Sequence, residues 1–385
     1  MEREPFGFYE FFARGGMARL GLGYQWRCLM ANDICEKKAR SYRKNFNEAP
    51  EFICRDVTNL HLEDLTGEPA LAWASFPCQD LSLAGSRAGL NGERSGTFRP
   101  FSRLIQAMDS DGRKIPIIAL ENEVGAITSN KGRDFETLLQ TLVDAGYYVG
   151  PLVIDGIHFV PQSRPRLFIV AVTRECDPPT SYLRGAPDMP WHTKTLRAAH
   201  QSLPIELRRA WVWWRLPKPT DRALILTDLI EEAPSGVGWR PPEQTRRLLG
   251  GMSDLNLQKV RDAQASGKRT VGTVYKRTRP DGNGGRRWRA EARFDQISGC
   301  LRTPGGGSSR QFVLIVEGDK IRSRLLSSRE AARLMGVPDS YQLPENYNEA
   351  YHLMGDSLVV PAVAWLERCL LHPLAGRTRR ALEVA

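Results

Sequence analysis

Residues 6–45 read FGFYEFFARGGMARLGLGYQWRCLMANDICEKKARSYRKN. Phe6–Phe12 is apolar and aromatic, Ala13–Gly16 turns, and Met17–Leu22 has helical spacing. Arg27–Ala31 is strand-like, with Cys28, Leu29 and Met30, and Glu36–Asn45 reads as a basic helix. The alternation continues downstream. Leu71–Ser75 is a short buried run leading into Phe76-Pro77-Cys78, and Ile115–Leu120 is a strand ending at Glu121. Asp134–Ala145 places Phe135, Leu138, Leu139, Leu142 and Val143 at helical spacing, and Leu167–Val172 is again rich in β-formers. Strands alternating with helices predict an α/β fold, a mostly parallel sheet with helices on both faces. Ligands of such sheets bind at the carboxyl ends of the strands.

From about Cys176 the texture changes: Pro, Trp and Arg become frequent and periodicity fades. Trp211, Trp213 and Trp214 cluster and are read as packing residues. Lys268–Arg293 is dense in Lys, Arg and Gly, and Thr303–Arg310 is a glycine-rich loop. An amphipathic helix returns at Ser327–Met335, with a serine cap and an acid in its first turn. The expected organisation is a first domain over 1–175, an inserted one over 176–325, and a segment 326–385 returning to the first.

The 385 residues carry a net charge of +10, which favours a polyanionic partner through phosphate neutralisation. Charge alone leaves a basic protein without a nucleic-acid role equally open. The seven cysteines include no CxxC pair, so neither a disulfide framework nor a metal site is expected. A buried small hydrophobe is the ordinary role of such a thiol. No apolar run of membrane-spanning length and no secretory leader is read, so no membrane partner and a cytoplasmic location are expected.

The residues suited to chemistry fall at strand ends. Phe12–Met17 is a glycine-containing strand-to-helix turn that can cradle a nucleotide or carboxylate on backbone N–H groups. Asp33 and Asp56 end the next two strand-like runs, where an acid takes ribose hydroxyls or an adenine amine, or simply caps a turn. Pro77 stops a strand and leaves Cys78 at its carboxyl end, where a thiol can be tuned for attack. The Ser-, Gly- and Arg-rich stretch 80–97 can close over a substrate. Glu121, with Asn122, can protonate a ring nitrogen. In Gln162-Ser163-Arg164-Pro165-Arg166, two arginines two apart on an extended segment are expected to point the same way.

In this order the segments resemble the motif set of DNA cytosine-C5 methyltransferases of bacterial or phage type. Phe12–Leu22 resembles the FxGxG cofactor loop, Pro77-Cys78-Gln79 the nucleophile motif, Glu121-Asn122 the ENV motif and Gln162–Arg166 the QxRxR motif. Leu326–Pro338 and Gly355-Asp356-Ser357 resemble the two late motifs. The resemblance implies a Rossmann-like S-adenosylmethionine-dependent methyltransferase fold with an inserted, irregular, β-rich target-recognition domain over 176–325. It implies cofactor contacts at Phe12, Arg14, Gly15, Gly16, Asp33, Ile34, Asp56, Val57, Pro77, Phe98, Asp356 and Ser357. It places substrate contacts at Gln79, Asn122 and Gln162, and no metal. Cys78 would add to C6 of a cytosine flipped out of double-stranded DNA, Glu121 would protonate N3, and Arg166, supported by Arg164, would contact the base carbonyl. The implied enzyme is a monomer, with a cognate restriction enzyme as a partner of the system.

The sequence departs from the family pattern at four places. Arg14 stands where FxGxG has its first Gly, a position whose glycine can take a positive φ. Glu10 replaces an Asp, Glu123 a Val and Asp356 an Asn. Three readings of Arg14 stay open: a tolerated substitution, a weakened or inactive enzyme, or a counter-ion for carboxy-S-adenosylmethionine. RNA cytosine methylation and a catalytically silent DNA-binding protein are the alternatives from other classes.

Overall fold

The computed structural model describes residues 4–76, 98–280, 285–303 and 309–384. The chain forms two units. The first contains residues 1–155, 165–219 and 360–385. Its core is a seven-stranded sheet of β1 (Phe6–Phe11), β2 (Trp26–Asp33), β3 (Phe52–Cys54), β4 (Leu71–Ala74), β5 (Ile117–Glu123), β6 (Tyr147–Asp155) and β7 (Pro165–Thr173). The order is β3-β2-β1-β4-β5-β7-β6. The first five strands are parallel to their neighbours, and β7 lies antiparallel to both β5 and β6. Parallel strands are covered on both faces, so they read as continuous apolar runs; all four residues of β4 are buried.

Helices α1 (Met17–Leu22), α2 (Glu36–Asn45), α3 (Phe98–Ser110) and α4 (Arg133–Asp144) cross between the strands. On α3, Phe98, Phe101, Leu104, Ile105 and Met108 fall at helical spacing and are buried. The sequence reading finds α2 and α4 within a residue of their ends but ends β5 at Glu121, two residues early, and assigns neither α3 nor β6.

The expected boundary at 175/176 differs from the division of the units, because 176–219 packs on the sheet of the first unit. Trp191, Trp211 and Trp214 are buried there, and Trp214 Nε1 donates to the Val170 carbonyl at 3.3 Å. A side chain at Gly150 of β6 would place its Cβ 1.9 Å from that indole, so only glycine lets the ring lie on the strand. This stretch also forms the two-stranded pair β8 (Leu183–Arg184) and β9 (Trp213–Trp214) and helices α5 (Lys194–Ser202) and α6 (Ile205–Ala210).

The second unit contains residues 156–164 and 220–359. Here β10 (Thr270–Pro280), β11 (Arg286–Arg293), β12 (Phe312–Glu317) and β13 (Lys320–Leu325) form an antiparallel sheet in the order β11-β10-β12-β13. Val274, Ala290, Ala292, Leu314 and Val316 from this sheet pack with Leu248, Val260 and Ala263 from helices Pro242–Gly250 and Asp254–Ala265. Ser327 caps the helix Ser328–Leu334: its hydroxyl takes the Glu330 N–H at 3.1 Å, and the Glu330 carboxylate returns a bond to the Ser327 N–H at 2.8 Å. The same carboxylate holds Arg324 through two bonds of 2.6 and 2.8 Å, both side chains being fully buried.

One helical run, Tyr347–Arg379, meets a membrane-spanning test by length and composition, contrary to expectation, although 56% of its apolar window is buried within the protein, as in a core helix.

Removing one partner of a buried ion pair strands the other. Glu330→Ala is therefore expected to destabilise the protein by about 3–5 kcal/mol, read as a lower urea midpoint at unchanged slope.

Candidate active site

β1 ends at Phe11, and the chain turns through 12–16 before α1 begins. Phe12 (φ 57°), Arg14 (φ 55°) and Gly16 (φ 79°) all adopt left-handed backbone. For an L side chain that conformation costs roughly 1–2 kcal/mol, which glycine avoids. Arg14 thus keeps the conformation expected of a glycine and carries the strain as an arginine. Hydrogen bonds oppose that strain. The Arg14 N–H donates to Asp33 Oδ2 at 3.0 Å and Arg14 Nη2 donates to the Ser75 carbonyl at 3.0 Å. The Ala13 N–H donates to the Asn32 carbonyl at 2.8 Å. A Cβ at Gly16 would lie 2.3 Å from the Phe46 ring, so the turn admits no larger residue there without movement.

Glu10, near the end of β1, lies behind this turn and is 1% exposed. Its carboxyl group takes the backbone N–H groups of Ala18 and Arg19 and the Tyr42 hydroxyl, the last at 3.0 Å. It thereby satisfies first-turn donors of α1, whose N-cap Gly16 has no side chain to do so. Arg19 in turn reaches Glu51 at 2.5 Å and the Tyr42 hydroxyl at 3.3 Å.

Asp33 ends β2 and is 7% exposed; besides the Arg14 N–H its carboxylate takes the Cys35 N–H at 2.9 Å. Next to it Ile34 is 66% exposed. An apolar side chain left open beside a strand-end acid fits the face of an adenine ring, and backbone donors on that acid fix it for a ribose. Asp56 follows β3, and its Oδ1 caps a short turn through the Thr58 N–H and hydroxyl, both at 2.8 Å. Val57 and Phe98, expected at the cofactor, belong to the hydrophobic core, at 4% and 2% exposed. The Phe98 ring packs against Phe76 at a centroid distance of 5.4 Å. Phe76 is the last described residue after β4; Pro77, Cys78 and Gln79, and the stretch 80–97, lie outside the described residues. Gly15 is buried in the turn.

Four of the other cysteines, Cys28, Cys54, Cys176 and Cys369, have thiols held in the protonated form. Burial pushes Cys28 up to about 12 and Cys54, with help from the neighbouring Glu36, up to about 11; Cys176 and Cys369 are raised by burial as well.

At the end of β5, Glu121 is 3% exposed and Arg166 of β7 lies against it, Nε to Oε1 at 3.3 Å. The register pairs Glu123 directly with Arg166, so both acids of β5 face the same guanidinium, Glu123 at 4.0 Å. Glu123, where the family has Val, therefore adds a second carboxylate to this ion pair. Asn122 points to the other face; its Oδ1 takes the Glu123 N–H at 2.7 Å, and its buried Nδ2 has no hydrogen-bond partner among the described residues.

The late and central motif residues of the second unit make contacts within that unit. Gln162 is fully buried; its amide donates to the Leu334 carbonyl at 2.7 Å and accepts from the Leu301 N–H at 2.8 Å. Arg164, expected to point with Arg166, is 2% exposed and donates to the carbonyls of Leu301, Gly355 and Ser357 at 2.6–2.9 Å. Ser357 Oγ bonds the Leu353 carbonyl at 2.5 Å, and Asp356 accepts from the Thr303 hydroxyl. An arginine aimed at three carbonyls satisfies a turn that no regular element completes. The sequence pattern shows the arginine but not its main-chain acceptors. For the same reason Ser75 goes unnoticed in the sequence, since it is its carbonyl that meets Arg14.

The strand order and the crowded carboxyl edge define a Rossmann-like methyltransferase fold. Solved structures share it: the Dnmt2 methyltransferase of S. pombe superposes with a TM-score of 0.59 at 15% identity, covering 96% of this chain and 99% of that one. The Entamoeba histolytica methyltransferase EhMeth gives 0.62 at 14%, covering 94% and 97%. A sequence model of the C-5 cytosine-specific DNA methylase family matches residues 6–370, and the chain belongs to that family. It is 25% identical to the type II methyltransferase M.HpaII of Haemophilus parainfluenzae, over 97% of this chain and 91% of the relative. It is 23% identical to M.HhaI of Haemophilus parahaemolyticus, over 93% and 92%. It is a DNA cytosine-5 methyltransferase that uses S-adenosylmethionine.

Burial, only partly offset by Tyr42 and Arg19, pushes the Glu10 carboxyl up from 4.5 to about 7. The unfolded chain releases this proton near 4.5 and the folded protein only near 7, so the folded form holds the extra proton between these values. The stabilisation is complete below 4.5 and lost as the pH rises through 7, by about 3 kcal/mol. Urea unfolding at pH 5 and pH 8 should show this fall in the parent, and Glu10→Gln should flatten it.

Proposed function

We propose that the chain methylates C5 of a cytosine flipped out of a specific duplex sequence, through a transient bond between Cys78 and C6. The observation that carries this reading is the Glu121–Arg166 pair at the carboxyl edge of the sheet, one strand away from β4, which leads to Cys78. A buried acid beside a fixed guanidinium suits the N3 and O2 edge of cytosine, and a base enclosed by them has left its stack.

In this reading Phe12, Gly15, Gly16, Asp33, Ile34 and Asp56 hold S-adenosylmethionine, which supplies an electrophilic methyl group when bound. Asp33 takes the ribose, Ile34 covers the adenine and Asp56 takes its amine. The Cys78 thiolate forms the bond to C6 while Glu121 delivers a proton to N3. The electron pair then available at C5 takes the methyl group. Loss of the C5 proton to a base, through water, breaks the C6–S bond and releases the Cys78 thiolate, and the N3 proton returns to Glu121, which restores the ring. Arg166 fixes the base carbonyl. Arg164 acts at one remove, by holding the 301–303 and 355–357 turns. No observation favours a carboxylated cofactor, since Arg14 Nη2 is aimed at a main-chain carbonyl.

The second unit is read as the target-recognition domain. On the β10–β11 pair, Arg277 stands opposite Arg289, and Arg287 and Glu291 lie on the same face, Glu291 at 3.9 Å from Arg277. Three arginines against one carboxylate leave the face basic, so it is assigned to DNA phosphates. The protein acts as a monomer. Its similarity to type II methyltransferases supports a restriction enzyme acting at the same site.

Duplex DNA carrying 5-fluorocytosine at the target should trap a covalent complex, because fluorine blocks the final elimination. Cys78→Ala should abolish it; a complex that survives would falsify the assignment. Methylation of tRNA in preference to duplex DNA would transfer the reading to RNA. Replacing Arg287 and Arg289 with Ala should lower the slope of log binding constant against log salt by about 1 per lost phosphate contact, measured by DNA titration from low to moderate salt.

A further inference from the structure

We infer that Arg14 is a positioning residue for the transfer step, locking the main chain at the end of β4 to the cofactor loop. The inference rests on the function proposed above. The strand order reverses between β1 and β4. The loop leaving β1 turns one way and the chain leaving β4 turns the other, which opens the crevice where ligands bind in such sheets. Among the described residues the main chain ties the two strand ends beyond the ladder only through the long Ser75 N–H to Phe11 carbonyl bond, at 3.4 Å. Arg14 adds a side-chain tie. Its N–H is held by Asp33 at the end of β2, and its Nη2 reaches the Ser75 carbonyl, one residue past the end of β4.

The carbonyl it holds needs holding. The Ser75 N–H bond to the Phe11 carbonyl is long, at 3.4 Å, and the Ser75 hydroxyl faces back into the sheet, taking Trp73 Nε1 at 3.0 Å. Ser75 is also the third residue before Cys78. The backbone of Arg14 points to the same role. It keeps left-handed φ at 55°, the conformation of a glycine loop, yet retains a long side chain that crosses the switch point. A loop that needed only the conformation would be relieved by glycine; one that needs the crossing bond would not.

Glycine and lysine variants separate the possibilities. Arg14→Gly relaxes the backbone and deletes the bond to Ser75; Arg14→Lys keeps a donor on a side chain of similar reach. The readouts are the single-turnover rate of adduct formation on 5-fluorocytosine duplex and the affinity for S-adenosylmethionine by calorimetry. Arg14→Gly is expected to slow adduct formation about tenfold, the equivalent of one hydrogen bond, with cofactor affinity within about threefold of the parent. Arg14→Lys should recover most of the rate. An Arg14→Gly protein as fast as the parent or faster, a loss confined to cofactor affinity, or a lysine variant no better than glycine would each overturn the inference. A parent that forms no adduct overturns the reading beneath it; a normal parent beside an unaffected glycine variant overturns the role of Arg14 alone.

Discussion

Parallel neighbours cannot be joined by a hairpin, so each strand must be followed by a crossover before the next begins. That constraint collects the carboxyl ends of β1 to β5 along one edge. The turn after β1, the acid ending β2, the Asp56 cap after β3, the chain leaving β4 and the Glu121 end of β5 become neighbours there, although more than a hundred residues separate the first from the last. The reversal of order between β1 and β4 then parts the loops at one place. In the proposed function that edge takes two ligands, a cofactor and a base, and the switch point would divide it between them: β1, β2 and β3 on one side, β4 and β5 on the other.

The antiparallel strand β7 completes the second half. Because it runs against β5, its first residues lie beside the last residues of β5, and Arg166 meets Glu121 and Glu123 in register. A parallel strand in that place would have brought the opposite end of the chain to the site. The reversed strand therefore has a chemical consequence. It sets a cation from one end of a strand against an acid from the other end of its neighbour, and burial of both limits the directions from which a base can approach.

Much of this was legible in the residues. Continuous apolar runs mark buried parallel strands, and β1, β2, β4 and β7 are read from them; α2 and α4 follow from spacing alone. β6 escapes because Tyr147-Tyr148-Val149-Gly150-Pro151 interrupts its apolar pattern with residues that ordinarily break strands, and here Gly150 serves the Trp214 ring. α3 escapes because it begins at the end of a glycine-rich stretch. At the site, strand-end acids are readable as side chains with no reason to be apolar. The roles of Gln162 and Arg164 are not, since their partners are carbonyls and an amide of distant segments, and main-chain acceptors carry no sequence signature. The same holds for Ser75. The tryptophans of 211–214 are correctly read as packing residues, but the domain they pack in is set by what the sheet leaves uncovered, which the local texture of 176–219 does not reveal.

The departures from the family pattern are connected by geometry. Arg14 holds the left-handed backbone of the glycine it replaces, and Glu10, behind the same turn, supports the helix that the turn starts. Arg14 has thus changed chemical type within the turn and Glu10 has changed length behind it, while the path of the chain is kept. Strain at Arg14 is tolerable only if the turn is anchored on both sides, and it is: by Asp33 and Asn32 in front, and by the Glu10–Tyr42–Arg19 cluster behind. The buried, half-neutral Glu10 is the weaker of these anchors above pH 7. Loss of its proton places a charge beneath α1, next to the Arg19–Glu51 pair, and loosens the turn from the side away from the cofactor. The strained arginine in front and the reluctant acid behind are therefore one arrangement, in which each substitution is stable only in the presence of the contacts that hold the other.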